Sequence, residues 1–178
     1  GPRQLNGLFF LYTCRAHMVL YDFVTEVYWQ KYAAGVEHIT RNDAVDFIES
    51  AKNTGLISPP SSESTTSRLA RYLSTALADF GLLGKDRKGV REILPFQIDR
   101  LTALYLVHDL HFRGMSDDSV VRHPDWELFG LAPYDVRVEL SRASGRHLIL
   151  QSSGELTRIS WEHNTMEDAI RAFAPEEI

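Results

Sequence analysis

Ser64, Thr65, Thr66, Arg68 and Arg71 follow one another at a spacing that gathers hydroxyls and guanidiniums on one side of a helix. Such groups reach phosphate oxygens and base edges, so the chemistry they point to is nucleic-acid recognition. Ser67 and Thr75 belong to the same polar face. Lys85, Arg87, Lys88 and Arg91 come next in a glycine-punctuated stretch, Gly-Leu-Leu-Gly-Lys-Asp-Arg-Lys-Gly-Val-Arg, that reads as a hairpin with a basic tip suited to phosphates. Arg142, Arg146 and Arg158 mark a candidate second DNA surface, offset by Asp135, Glu139, Glu155 and Glu162. The competing reading of the first set is an ordinary amphipathic helix whose Arg68 and Arg71 are merely solvated.

Catalytic chemistry finds less support. His108 and His111 sit at i, i+3 on either side of Asp109, a spacing that can present two metal ligands, but no further ligand motif completes a site. A core or half-buried histidine pair is the simpler reading. Asp43, Asp46 and Glu49 fall on the outer face of a short helix, and Ser152-Ser153-Gly154 lacks the Gly-x-Ser-x-Gly elbow. No glycine-rich loop ends in Lys-Ser/Thr, so nucleotide hydrolysis has no cradle. The expectation is a protein that is not an enzyme and uses no metal, cofactor or small-molecule substrate.

The elements that must position these residues can be read from periodicity and caps. The segment from Leu5 to Gly35 is dense in Leu, Phe, Tyr, Val and Trp and reads as one long or two abutting buried helices. Thr40 and Asp43 form a capping box for a helix over Arg41–Lys52 that buries Ala44, Phe47, Ile48 and Ala51. Ile57-Ser-Pro-Pro-Ser-Ser is a loop by composition. The helix carrying the basic face then spans about Glu63–Phe80, with Leu69, Tyr72, Leu73, Ala76, Leu77 and Phe80 inward. Strands around Leu82-Leu83 and Arg91–Phe96 flank the tip Lys85–Gly89. Asp99 caps a helix over Arg100–Phe112 that turns Leu101, Leu104, Tyr105, His108 and either His111 or Phe112 inward. Ser116 starts a short helix, His123–Gly130 is an aromatic-anchored turn, and a helix follows over Tyr134–Ala143. His147–Trp161 reads as a hairpin turning at Ser153-Gly154, and Thr165 with Asp168 caps a last helix to about Phe173. The C-terminal Ala-Pro-Glu-Glu-Ile is expected to fray, and the opening Gly-Pro reads as a scar of tag cleavage.

The fold class expected is mainly α: a helical bundle with two helix-turn-helix or winged-helix-like units and small β-hairpins. The first unit, with the N-terminal helical core, covers residues 1–97 and the second 98–178, packed as one compact body. Composition agrees with a globular chain, since 44% of the 178 residues are apolar. The single Cys14 excludes an internal disulfide, and Arg15, His17, Asp22 and Glu26 interrupt the most apolar stretch, so neither an oxidising compartment nor a membrane span is expected. A cytoplasmic protein fits. The net charge of −5 excludes a protein that coats itself in nucleic acid by bulk charge, but charge is polarised. Ser61–Arg91 holds six basic residues against three acids, whereas Asp99–Asp135 holds seven acids against three arginines.

Several strings go beyond pattern: Phe-Leu-Tyr-Thr-Cys-Arg-Ala at 10–16, Leu-Tyr-Asp-Phe-Val-Thr-Glu-Val-Tyr-Trp at 20–29, Glu-Ser-Thr-Thr at 63–66, Leu-Ala-Asp-Phe-Gly-Leu-Leu at 77–83, Leu-Tyr-Leu-Val-His-Asp-Leu-His-Phe at 104–112 and His-Pro-Asp-Trp-Glu-Leu-Phe-Gly at 123–130. With these the chain closely resembles the BrxA family of BREX phage-resistance gene clusters over nearly its whole length. The resemblance implies a small, non-enzymatic, mostly helical DNA-binding protein of a multi-protein defence system. It carries DNA contact loosely onto the Glu-Ser-Thr-Thr-Ser-Arg helix start and the basic tip, and it implies helical sequence ahead of Leu5. Two other functions remain in view. One is an adaptor that docks larger BREX proteins through Trp126, Leu128 and Phe129 amid Asp117, Asp118, Asp125 and Glu127. The other is a transcription regulator, which predicts a dimer on a spaced operator.

Overall fold

The computed structural model describes residues 5–55 and 62–173. The Gly-Pro start, the Pro-Pro loop over 57–61 and the C-terminal 174–178 lie outside the described residues. The chain is mainly α-helical with small antiparallel strand pairs. It divides into two units, Phe9–Phe96 on one hand and Gln97–Ile178 with Gly1–Leu8 on the other.

The N-terminal segment is a run of short helices: α1 (Asn6–Ala16), α2 (Met18–Phe23) and, after a π-turn over Val24–Tyr28, α3 (Trp29–Ala33). The break falls at His17, whose backbone leaves the helical region at φ −130° and ψ 86°. In the π-turn, the Thr25 hydroxyl donates to the Tyr21 carbonyl at 3.2 Å, a side-chain bond that competes with the regular ladder. These helices supply Phe10, Leu11, Cys14, Leu20, Phe23, Val24 and Tyr28 to the core of the unit, all fully buried. The Tyr28 hydroxyl donates to the Leu94 carbonyl at 2.6 Å, and burial raises its pKa.

Strand β1 (His38–Thr40) leads directly into α4 (Arg41–Asn53). The expected capping box is present: Thr40 accepts from the Asp43 amide at 3.2 Å, and Asp43 accepts from the Thr40 amide at 2.7 Å. Burial alone would raise the Asp43 carboxyl, but bonds from Lys31 and Thr40 outweigh it and hold the pKa below its ordinary value. Ala44, Ile48 and Ala51 are buried, whereas Phe47 is half-buried against the Phe23 ring at 5.3 Å. Helix α5 (Glu63–Asp79) packs on α4 through Thr66, Ala70, Leu73 and Leu77. That inward face is rotated from the expected stripe: Tyr72 is exposed, and Leu69 and Ala76 are half-buried.

The first hairpin also differs from expectation. Leu82–Gly84 does pair with Glu92–Leu94, through Gly84 N to Glu92 O at 2.8 Å and Leu94 N to Leu82 O at 2.9 Å. However, β2 (Val90–Glu92) has its main partner in β1, antiparallel with Ile39 opposite Arg91. A strand from before α4 thus joins the hairpin that follows α5.

In the other unit, α6 (Arg100–Phe112) is capped by Asp99, which accepts from the Thr102 amide at 2.9 Å. It is buried over most of its circumference through Thr102, Ala103, Leu104, Leu106, Val107, His108 and Leu110, while Leu101 and Tyr105, expected inward, are half-buried. A helix enclosed on several sides loses the one-sided stripe on which periodicity arguments rest. Around it stand α7 (Asp117–Val121), a 3₁₀ turn over Pro124–Phe129 and α8 (Pro133–Ala143). The hairpin of β3 (Leu148–Ser153) and β4 (Leu156–Trp161) turns at Gly154-Glu155, one residue later than expected. Helix α9 (Met166–Phe173) closes the unit, with Thr165 accepting from the Asp168 amide at 3.1 Å.

Candidate nucleic-acid interface

In the unit Phe9–Phe96, the start of α4, the outer face of α5 and the hairpin tip border a cleft of about 300 Å³. Ile39 and Ala70 floor it, Thr40, Ser67 and Ser74 bring hydroxyls, and Arg41, Arg68, Arg71 and Arg91 bring guanidiniums. Asp86 is the acid among its lining residues. Arg41 donates to the Ser67 hydroxyl, which ties the start of α4 to α5.

The expected contact residues take different positions. Ser64, Arg68 and Arg71 are exposed on α5, and Thr65 is half-buried at its first turn. Lys85, Arg87 and Lys88 are exposed at the hairpin tip. Among the described residues Arg68, Arg71, Lys85, Arg87 and Lys88 make no ion pair with a carboxylate. Thr66, expected on the groove side, is 3% exposed and bonds to Lys52 and, at 3.2 Å, to Glu49. It lies one helical turn from Ala70, so the packing of α5 on α4 turns it inward. Arg91 is held within the fold: its guanidinium donates to the Gly84 carbonyl at 2.9 Å and to the Thr75 hydroxyl at 3.4 Å, beside Asp86 at 3.8 Å. It stiffens the hairpin that the exposed cations ride on.

The tip itself is a tight two-residue turn. Arg87 N donates to Val90 O at 2.9 Å and Val90 N to Arg87 O at 3.3 Å, with Lys88 and Gly89 between them at φ 58° and 83°. Positive φ at both positions favours Asn-Gly or Gly-Gly. Lysine there is strained, by roughly 1 kcal/mol for a non-glycine left-handed residue. Asp86 accepts from the Gly89 amide at 2.8 Å and the Gly89 carbonyl accepts from Arg41 N at 2.8 Å, so the turn is braced from within and tethered to the start of α4. Arg41 and Ser74 were not among the expected contacts. Arg41 follows a cap residue, a position that carries no recognition signal in sequence.

The second candidate surface does not converge. Arg142 pairs with Glu139 at 3.3 Å, and Arg158 is exposed on β4 opposite Gln151. Arg146 lines a separate recess to which neither contributes. Arg137 braces the hairpin, donating to the Thr157 hydroxyl at 2.9 Å and the Glu155 carbonyl at 2.7 Å.

His108 is fully buried; its Nδ1 donates to the Leu104 carbonyl at 2.7 Å, and chiefly burial pushes its pKa down to about 4. His111 stacks on Trp161 at 3.8 Å. Among the described residues no group of three His, Cys, Asp or Glu is arranged to hold a metal ion, and no helix is long and apolar enough to cross a membrane. Trp126, Leu128 and Phe129 are at most 2% exposed, with the Trp126 indole donating to the Val120 carbonyl at 2.8 Å. They are core and offer no docking patch.

Among known protein families, the model described as BrxA matches residues 3–109. It takes in the whole unit Phe9–Phe96 and most of α6, and it ends before the string at 123–130. No curated protein and no solved structure matches the chain.

Proposed function

This chain belongs to the BrxA family, and so to BREX phage-defence systems, and from that premise we propose that its unit Phe9–Phe96 binds double-stranded DNA without catalysing a reaction. The observation that carries the reading is the convergence of Arg41, Arg68, Arg71 and Arg91 on one cleft whose lining includes a single acid, with Lys85, Arg87 and Lys88 exposed on the hairpin tip that borders it. The element order supports it. A helix, a short strand, two helices and then a hairpin whose second strand pairs back to the first strand is the order of a winged helix, with α5 in the place of the recognition helix. In that arrangement Ser64, Arg68 and Arg71 face the groove, while Lys85, Arg87 and Lys88 lie along phosphates.

Two arginines and a few hydroxyls on one face serve phosphate positioning as well as base readout, so binding with modest sequence preference is expected. Other BREX proteins are the natural further partners, recruited to DNA by this unit rather than through the buried Trp126 turn.

The test is fluorescence anisotropy of a labelled duplex titrated at several salt concentrations. Five exposed cations on α5 and the tip predict a log-log salt slope of about −3 to −5. The combined Arg68→Ala, Arg71→Ala, Lys88→Ala protein is expected to lose affinity and to flatten the slope by about 2 to 3. Wild-type protein that fails to bind at low salt, or a triple variant with undiminished slope, overturns the proposal.

A further inference from the structure

The unit Gln97–Ile178 contains its own basic recess, of about 420 Å³. Arg100 at the start of α6, Arg146 and His147 line it, with Ser144 at the side and Leu104 and Phe173 as apolar walls. No acidic residue lines it. Three other arginines of this unit are paired with carboxylates. Arg113 pairs with Asp109 at 3.0 Å, Arg122 with Asp118 at 3.0 Å and Arg142 with Glu139 at 3.3 Å. Among the described residues Arg100 and Arg146 have no such carboxylate.

The recess is also built rather than incidental. The Ser144 hydroxyl donates to the Leu148 carbonyl at 3.0 Å and Gly145 N to the same carbonyl at 2.9 Å, which fixes the turn that carries Arg146. Gly145 adopts φ 129°, a conformation that side chains other than glycine rarely take. His147 is 9% exposed, and its Nδ1 meets His163 Nε2 at 3.2 Å, a bond that sets the orientation of the ring. Burial, His163 and the two guanidiniums all push the His147 pKa down, and no group counters them.

From this convergence of two guanidiniums and an imidazole on a recess without acids, we infer that the unit Gln97–Ile178 holds a second anion site, specific for a phosphate group, at Arg100, Arg146 and His147. Guanidiniums bind phosphate oxygens in pairs, and the imidazole contributes a further N–H when it takes up a proton. The phosphate comes either from a DNA backbone or from a free phosphate. The site is independent of the cleft in the other unit, so the Arg68, Arg71, Lys88 triple variant retains it.

The test follows the histidine C2 proton signals of the full chain by NMR during pH titrations, with inorganic phosphate, with a short duplex, and with sodium chloride at matched ionic strength. A saturable rise of roughly one unit in the pH midpoint of His147 is expected, because a bound anion favours the imidazolium. A rise with inorganic phosphate assigns a free phosphate; a rise with the duplex alone assigns the DNA backbone; either supports the site. Arg100→Gln with Arg146→Gln should abolish the saturable response while leaving the His111 signal, stacked on Trp161, in place as evidence of an intact fold. No saturable change with either probe beyond the chloride control, or an undiminished response in the folded double variant, overturns the inference.

Discussion

Mild acid should destabilise the unit Gln97–Ile178, and His108 should account for most of the loss. Its imidazole is fully buried, against Phe173 at 4.9 Å and Trp161 at 5.2 Å between ring centres, and is held to a pKa of about 4, mainly by burial. The neighbouring His163 and His147 add repulsion. In the unfolded chain the same group titrates near 6.5, so the unfolded state takes up its proton first. Stability is therefore whole above about pH 6.5, falls as the pH drops from there to about 4, and levels off below that. The full shift corresponds to about 3 kcal/mol, of which about 2 kcal/mol is lost between pH 7 and pH 5. For a unit of this size that lowers Tm by roughly 10 °C. Thermal unfolding at pH 7, 6 and 5, followed by near-ultraviolet circular dichroism of Trp126 and Trp161, gives the number. His108→Phe keeps an aromatic ring in the pocket and leaves the Leu104 carbonyl its helical partner. It should remove most of the pH dependence, leaving the smaller share from His111 and His147, whose pKa values are also lowered mainly by burial. A His108→Phe protein that loses as much stability as wild type between pH 7 and 5, or a His108 proton that titrates near 6.5, refutes the reasoning.

Lys88→Gly should relieve the left-handed turn and stabilise the unit Phe9–Phe96 by up to about 1 kcal/mol in urea unfolding, while reducing the DNA salt slope by about 1. Thr66→Val, buried on the α4 side, should leave DNA affinity and salt slope unchanged even as it lowers stability by about 1–3 kcal/mol through the polar partners it abandons. Gly7→Ala should cost about 1–3 kcal/mol, since the added methyl would overlap the Thr102 hydroxyl and stand 2.7 Å from the Asp99 carboxylate that caps α6; a melting curve like wild type would contradict that packing.

Where a residue's role is set by its immediate neighbours in the chain, the sequence was enough to read it. Asp99 caps a helix over Arg100–Phe112 and Thr40 with Asp43 caps α4 because these bonds span three residues. The exposed cations of the tip were legible for the same reason, since a turn bounded by glycines must project them. What escaped was decided by distant partners. β1 has three residues and abuts a cap, too short for any alternation, and only its pairing with β2 makes it a strand. Thr66 looked like its hydroxyl neighbours until Lys52 and Glu49 gave it buried partners on α4. Arg41 joined the cleft, and Arg91 became a brace, through contacts made across the fold. Arg142, Arg146 and Arg158 shared only a charge, and their elements place Arg146 at a recess of its own.

Cys14, the one cysteine of these 178 residues, is fully buried among the apolar side chains of the N-terminal helices. A thiol-reactive dye therefore finds no ready target in the folded wild-type chain, and a cysteine introduced on the surface becomes the single address for a label. Lys85→Cys would put a fluorophore beside the hairpin tip and Glu155→Cys one on the turn between β3 and β4, both exposed positions. Energy transfer from each to a dye on the duplex would then map which unit approaches the DNA, and along which stretch of it, in a protein whose own thiol stays silent.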